Sequence, residues 1–316
     1  MGTSEAGGHG EVVISPEVQE ALLSKEPVVA LESALITHGL PFPCNVEVAR
    51  QMVSGVSGDG ATAATVAVID GRIHVGLTDA QIQVLAESRY CRKVGVRDFA
   101  LAAVQRTSGG TTVAATIFAA SRAGIRVFAT GGIGGVHREY AFDVSADLAA
   151  LAHTPIIVVC AGAKAILDLR ATLEYLETLN VPVLGYGTDD FPAFYSRTSG
   201  LKAGGRLDSP QEVAKYWAAH CVLGMRSAVL VANPIPEASA IPRSEMEGLI
   251  TQASREALEQ GIHGQALTPF LLKRLGELSD RRTIEANVAL LVNNARLAAQ
   301  IAVAVVHQEK SKERPT

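Results

Sequence analysis

Six short apolar runs, most of them rich in β-branched residues, constrain this chain more than any other feature. They are Val28 to Leu31, Thr65 to Ile69, Val127 to Ala129, Ile156 to Cys160, Val181 to Gly185 and Ala228 to Ala232. None shows the in-out alternation of a strand with one wet face, so each reads as a strand covered on both sides. Between them, Gln81 to Ser88, Thr112 to Ala123 and Ala165 to Leu179 have helical composition. The alternation predicts a three-layer α/β/α fold around a central mixed, largely parallel sheet. The last third turns helical: Ser244 to Gln260 ends at Gly261, Thr268-Pro269 opens a helix with proline at an early position, and Ala286 to Val305 is apolar enough to pack on the core. No repeat or linker divides the chain. The expectation is one domain over 14–305, with a flexible leader at 1–13 and a solvated tail at 306–316.

Charge narrows the partners. The net charge is -4 with both signs dispersed, which argues against nucleic acid, whose binding rests on clustered Lys and Arg. No apolar run of bilayer length is evident. The N-terminus lacks a signal peptide's basic and apolar regions, so no membrane partner is expected. Cys44, Cys91, Cys160 and Cys221 form no CxxC pair and read as thiols of a reducing, cytoplasmic compartment.

The out-of-place polar residues follow the strands. Glu32-Ser33 follows the first run, Thr130 to Arg138 the third, Ala161-Gly162-Ala163-Lys164 the fourth, and Asn233-Pro234-Ile235-Pro236 the sixth. In a parallel sheet these four turns open on one edge, where α/β sheets bind ligands. Lys164, among small residues, is either an imine-forming amine or a lysine snorkelling from a helix start. Glu32 is either a buried general acid or an ion-pair partner or helix cap. His38 reads as a structural histidine. Gly131-Gly132-Ile133-Gly134-Gly135 does not fit GxGxxG, but its amides, with His137 and Arg138, suit a phosphate. Ser108-Gly109-Gly110-Thr111-Thr112 is a second such cradle, opening a helix. Asp143 and Asp147, four apart, are expected on one helix face, where oxygen ligands would suit Mg or Mn; for Asp143 a helix cap is the rival reading.

Taken together, these segments resemble the pseudouridine-5'-phosphate glycosidase family, also called the indigoidine synthase A-like family. The similarity runs in unbroken order from about Ile14 to Ala304. It takes in Val28 to Ser33, Thr111 to Ala114, Thr130 to Arg138, Phe142 to Leu148, Cys160 to Lys164, Asp190 to Phe194, Val231 to Pro236, Thr268 to Leu272 and Asn293-Asn294-Ala295.

The resemblance implies reversible cleavage of the carbon-carbon glycosidic bond of pseudouridine 5'-phosphate to uracil and ribose 5-phosphate. It implies Lys164 as the Schiff-base nucleophile on a ring-opened ribose and Glu32 as proton donor. Lys93, Thr112, Val113, Thr130, His137, Ser145, Ala146, Asp147 and Asn287 would contact substrate, and Asp143 would bind a divalent cation, usually Mn2+. By convention such an enzyme is named a glycosidase but classed as a carbon-oxygen lyase. It would be a homotrimer, with any pseudouridine kinase separate. Three departures from the family pattern stand out: Ala34 where relatives carry Thr, Gly95-Val96 where they carry Ser-Arg, and a His137–Asp143 segment about two residues shorter. The alternatives are a Schiff-base aldolase or lyase on another sugar phosphate, which would use the same lysine, and a non-catalytic sugar-phosphate-binding protein.

Overall fold

The structure, a computed structural model, describes residues 12–88, 90–138, 142–264 and 267–313. In chain order the strands are β1 (Val12–Ile14), β2 (Val28–Leu31), β3 (Thr62–Ile69), β4 (Arg72–Val75), β5 (Arg92–Val94), β6 (Gly109–Thr111), β7 (Val127–Ala129), β8 (Val136–His137), β9 (Ile157–Cys160), β10 (Leu167–Asp168), β11 (Val183–Tyr186), β12 (Gly205–Leu207) and β13 (Val229–Ala232). The helices are α1 (Pro16–Leu23), α2 (Cys44–Gly58), α3 (Asp79–Glu87), α4 (Phe99–Gln105), α5 (Val113–Ala123), α6 (Ala146–His153), α7 (Leu169–Thr178), α8 (Pro210–Val222), α9 (Arg243–Glu259), α10 (Leu267–Leu278) and α11 (Arg282–Glu313).

The main sheet runs β1-β4-β3-β2-β7-β9-β13-β11-β12, with β6 joined to β3 and β5 to β6. Every pairing is parallel except β3 with β4 and β3 with β6, so the sheet is mixed and largely parallel, as expected. The central strands are buried along their whole length: Val29, Phe128, Val158 and Leu230 all have no exposed surface. Each such side chain contributes about 1.5–3 kcal/mol of burial. α11 lies along β2, β7 and β9 with α2 and α8 beside it, while α5 packs on β2, β3 and β4 with α6 next to it.

Helix starts at the sheet edge are set by short polar caps. Thr112 accepts from Ala115 N (3.3 Å), Asp168 from Ala171 N (2.9 Å) and Ser145 from Asp147 N (3.2 Å).

Several expectations fail locally. Gly109 to Thr111 is strand β6, so of the segment expected to open a helix only Thr112 does so, as the cap of α5. A side chain at Gly110 would run into the Ser33 carbonyl and Thr37, so glycine is there to let strand and turn approach. Helix α7 begins at Leu169, four residues late, because Lys164 to Leu167 forms a turn and β10 pairs with β8. Asp143 and Asp147 do not share a helix face, because Ser145 caps α6 and leaves Asp143 outside it.

The residues expected as a tail continue α11 to Glu313, with Glu309 paired to Arg126 and Lys310 to Glu26. By length and composition α11 is apolar enough to cross a membrane, contrary to the reading that no run is. The most apolar stretch is 61 % buried against the sheet and its neighbours, the pattern of a core helix.

Candidate active site

Because β2, β7, β9 and β13 are adjacent and parallel, the four polar turns do open on one edge. Beyond the strands the ladder continues: Thr130 N donates to Val159 O (3.0 Å), Ala161 N to Gly131 O (2.9 Å), and Ile133 N to Gly162 O (3.1 Å). The glycine-rich turn and the lysine turn are therefore one locked unit. They border a cavity of about 870 Å3 whose wall includes Glu32, Lys93, Lys164, His137 and Asp143. A narrow annex of about 70 Å3 shares Glu32, Lys93 and Lys164 and adds His38, Phe194 and Asn287.

Lys164 reaches the cavity through a turn that only glycine makes easily. Gly162 has φ +86°, and a side chain on it would meet the Pro192 carbonyl. The Lys164 amide then donates to Ile133 O (3.0 Å), and its carbonyl accepts from Leu167 N (3.0 Å). The side chain is half-buried, and among the described residues no hydrogen bond or ion pair holds its Nζ. A snorkelling lysine would run to open solvent; this one faces a cavity with Glu32 and Lys93.

Glu32 directly follows β2, with 8 % of its surface exposed. Thr130 donates its hydroxyl hydrogen to Glu32 Oε1. Burial pushes the Glu32 carboxyl above the ordinary carboxylate range, and the charge of Asp147 adds to it. Lys164, the Thr130 hydroxyl and Lys93 act against the rise without cancelling it. Lys93 is pushed below the usual lysine range by burial and by Lys164, while Asp147 and Glu32 oppose that. One buried acid and two amines thus share a wall, and the proton affinities of Glu32 and Lys93 are displaced there, as is common at functional sites.

Beside Glu32, Ser33 Oγ donates to Val66 O (2.5 Å) and accepts from Thr111 N (3.0 Å), where β3 passes from β2 to β6.

The opposite wall is built from helix starts. Thr112, Val113, Ser145, Ala146 and Asp147 all line it. Asp147 is buried, with Oδ1 accepting from Ala114 N (2.9 Å) and Oδ2 from Gly134 N (2.8 Å). Its carboxylate ties the α5 N-terminus to the glycine turn, so it braces the wall. Thr130 is not on the cavity surface; its hydroxyl is turned to Glu32. Arg138 is turned away too, donating to Leu167 O and Ala165 O and pairing with Glu247 of α9. It adds no charge to the site. His137 stays on the cavity wall, its amide donating to Asp143 O (3.0 Å).

Asp143 is half-buried on the same wall. Among the described residues no three His, Cys, Asp or Glu side chains converge as a metal cage. One carboxylate on a polar wall fits a hard divalent ion that keeps most of its water, and does not fit a zinc centre.

Sequence reasoning gave three residues no role in the site. His38, read as structural, lines the annex, with Nδ1 2.7 Å from Thr37 Oγ1. Burial and then Lys93 lower its proton affinity. Phe194 also lines the annex, at φ +61° and only 3 % exposed. Asn294 is fully buried in α11; an amide in the middle of an apolar helix was the available signal.

The chain matches the model of the "Indigoidine synthase A like protein" family over residues 17–304. A pseudouridine-5'-phosphate glycosidase 2 of Rhizobium johnstonii is 51 % identical over 301 residues, 95 % of this chain and 97 % of that protein. A pseudouridine-5'-phosphate glycosidase of Solibacter usitatus is 53 % identical over 291 residues, covering 92 % and 97 %. Among solved structures, an indigoidine synthase A-like protein of Thermotoga maritima superposes with TM-score 0.87 at 34 % identity, covering 96 % of this chain and 100 % of that one. The prealnumycin C-glycosynthase AlnA, in complex with ribulose 5-phosphate, superposes with TM-score 0.87 at 39 % identity, covering 95 % and 98 %. By sequence and by fold alike, the chain belongs to the indigoidine synthase A-like family.

Proposed function

We propose that this enzyme reversibly cleaves pseudouridine 5'-phosphate to uracil and ribose 5-phosphate, with Lys164 as an imine-forming nucleophile. The observation that carries this is the convergence of Glu32, Lys93 and Lys164 on one cavity at the carboxyl edge of the sheet. The names of the relatives support the substrate, and the C-glycosynthase likeness supports carbon-carbon glycoside chemistry on a sugar phosphate.

The bond explains the residues. Ordinary glycosidases protonate a leaving oxygen between two carboxylates, but C1' of pseudouridine is joined to C5 of uracil. In the cleavage direction the uncharged Lys164 amine bonds to C1' while the C1'–O4' bond breaks, and O4' takes the proton of Glu32. The nitrogen, now carrying an extra proton, returns it to the Glu32 carboxylate. Its lone pair then forms the C=N bond as the C1'–C5 bond breaks, and uracil C5 keeps that electron pair and takes the proton from Glu32, leaving C1' as an iminium on Lys164. Water adds to the iminium and releases ribose 5-phosphate, the free amine and one proton, which restores the Glu32 acid. The raised proton affinity of Glu32 keeps a proton available for the first step. His137, the helix start at Ser145–Ala146 and Lys93 are the groups assigned to the phosphate, whose remote binding energy aligns C1' with the amine. Asn287, in the annex, is assigned to the base.

A divalent cation, Mn2+ by family resemblance, would be held by Asp143 through water. When bound it supplies charge that orients substrate and water. A homotrimer, a separate pseudouridine kinase and a cytoplasmic setting belong to the same proposal; no disulfide joins the four cysteines among the described residues, in keeping with that compartment.

The test is borohydride trapping with ribose 5-phosphate, followed by intact mass. Wild type should gain one reduced sugar phosphate on Lys164 and Lys164→Ala none. Lys164→Ala should also lose at least about a thousandfold in uracil release. An unlabelled wild type overturns the lysine mechanism. Trapping without uracil release from pseudouridine 5'-phosphate points to an aldolase or lyase.

A further inference from the structure

Behind the acid lies a buried chain of polar groups that the proposed reaction does not account for. Asn233 Nδ2 donates to Asn294 Oδ1 (3.0 Å), and Asn294 Nδ2 donates to Thr130 O (2.9 Å). Thr130 in turn donates its hydroxyl to Glu32. Asn294 and Thr130 have no exposed surface. Both ends of the Asn294 carboxamide are used, which fixes its orientation and prevents an amide flip. The chain links α11, the turn after β13, the turn after β7 and the end of β2. Four segments distant in sequence are thus joined in one chain of contacts that ends at a carboxylate oxygen of Glu32.

We propose that Asn294 is a positioning residue that, through the backbone of Thr130, holds the Thr130 hydroxyl on Glu32 and so sets where the acid's proton stands. The assignment rests on the proposed function. An apolar residue would fill this part of α11 at lower desolvation cost, so the buried amide needs a purpose. Its shorter bond, to Thr130 O, bears on the acid, because the Thr130 hydroxyl fixes one oxygen of Glu32 and favours the ionised form; a longer one, of 3.5 Å, reaches Gly131 O in the annex wall. The other charged groups acting on Glu32 are Lys164 from the β9 turn, Lys93 from β5 and Asp147 from α6. His38, from the turn after β2, lines the same annex.

The experiment follows uracil release from pseudouridine 5'-phosphate across pH for wild type, Thr130→Val, Thr130→Ser, Asn294→Leu, Asn233→Ala and the Thr130→Val/Asn294→Leu double variant. Thr130→Val should lower kcat by about tenfold to a hundredfold with little change in KM. Because the lost donor favoured the carboxylate, Glu32 should stay protonated to higher pH, so the alkaline limb moves up. Thr130→Ser should restore both. Asn294→Leu should reproduce the Thr130→Val profile, and the double variant should lose nothing further, because both act on one contact. Asn233→Ala, which loosens Asn294 without removing it, should move the limb in the same direction if Asn294→Leu does not fold. An unmoved limb in Thr130→Val, or additive losses in the double variant, would overturn the proposal while leaving the reaction standing. A wild type without uracil release removes the reaction itself and this assignment with it.

Discussion

Two hollows of similar size lie in this molecule. The one at the carboxyl edge of the sheet measures about 870 Å3; the other, between α7, α8 and β11, about 730 Å3. In the second, the charged groups are either paired or out in water, as exposed Glu177 is. Lys202 is paired with Asp190 at 2.9 Å, and the His220 ring stacks on Trp217 with Nε2 2.8 Å from Ser227 O. The rest of its wall is largely apolar: Leu173, Val181, Leu223 and Met225. In the first, Glu32, Lys93 and Lys164 face one another without pairing, and burial moves the first two away from their ordinary proton affinities. Volume does not separate the two hollows; unneutralised charge held out of water does.

The largest effect that would sharpen this contrast is at Glu32. Glu32→Gln keeps the shape and still accepts from Thr130, but cannot titrate. Cleavage should fall by about a hundredfold to ten-thousandfold, and the alkaline limb assigned to Glu32 should vanish. The sign follows from the raised proton affinity: the donor works while protonated, so activity persists above the ordinary carboxylate range and is lost as pH rises through the Glu32 value. Ribose 5-phosphate should still be trapped on Lys164, because its open-chain aldehyde needs no ring opening by the acid. A limb that persists in Glu32→Gln belongs to another group and breaks the assignment.

Lys93→Met comes next. It removes a cation assigned to the phosphate, so KM for pseudouridine 5'-phosphate should rise by about tenfold to a hundredfold. Lys93 also favours the Glu32 carboxylate, so its loss should move the alkaline limb upward. A rise in KM with an unmoved limb would separate phosphate binding from the tuning of the acid.

Much of this was legible in the chain itself, for physical reasons. The six apolar runs carry their burial in their own composition, and all six are strands of the main sheet. Glu32 and Lys164 stood out because polar residues followed strands whose neighbours had to be parallel. The short strands β5, β6, β8, β10 and β12 left no pattern. They have two or three residues, and Gly109-Gly110 and Gly205-Arg206 are strand only because partners pair with them. Arg138 seemed apt for a phosphate because it follows a glycine turn, yet its partner Glu247 lies 109 residues away. Asp143 and Asp147 were placed on one helix face by spacing alone, and the Ser145 cap between them separates their roles. His38 was read as structural because a lone histidine more often is; in space it lines one annex with Glu32, Lys93 and Asn287.

The smallest expected effect is the one most able to break the contrast. Leu223, 76 % exposed, stands on the rim of the second hollow. Leu223→Asp places a charge there without opening the core, so stability should change by no more than about 0.5 kcal/mol. Uracil release should stay within about twofold of wild type, because Lys202 and His220 in this hollow are already partnered and Glu177 is exposed to water. Thermal unfolding alongside initial rates separates the two readouts. If the rate falls tenfold while the fold holds, the second hollow is coupled to the first, and free charge would no longer be the feature that distinguishes them.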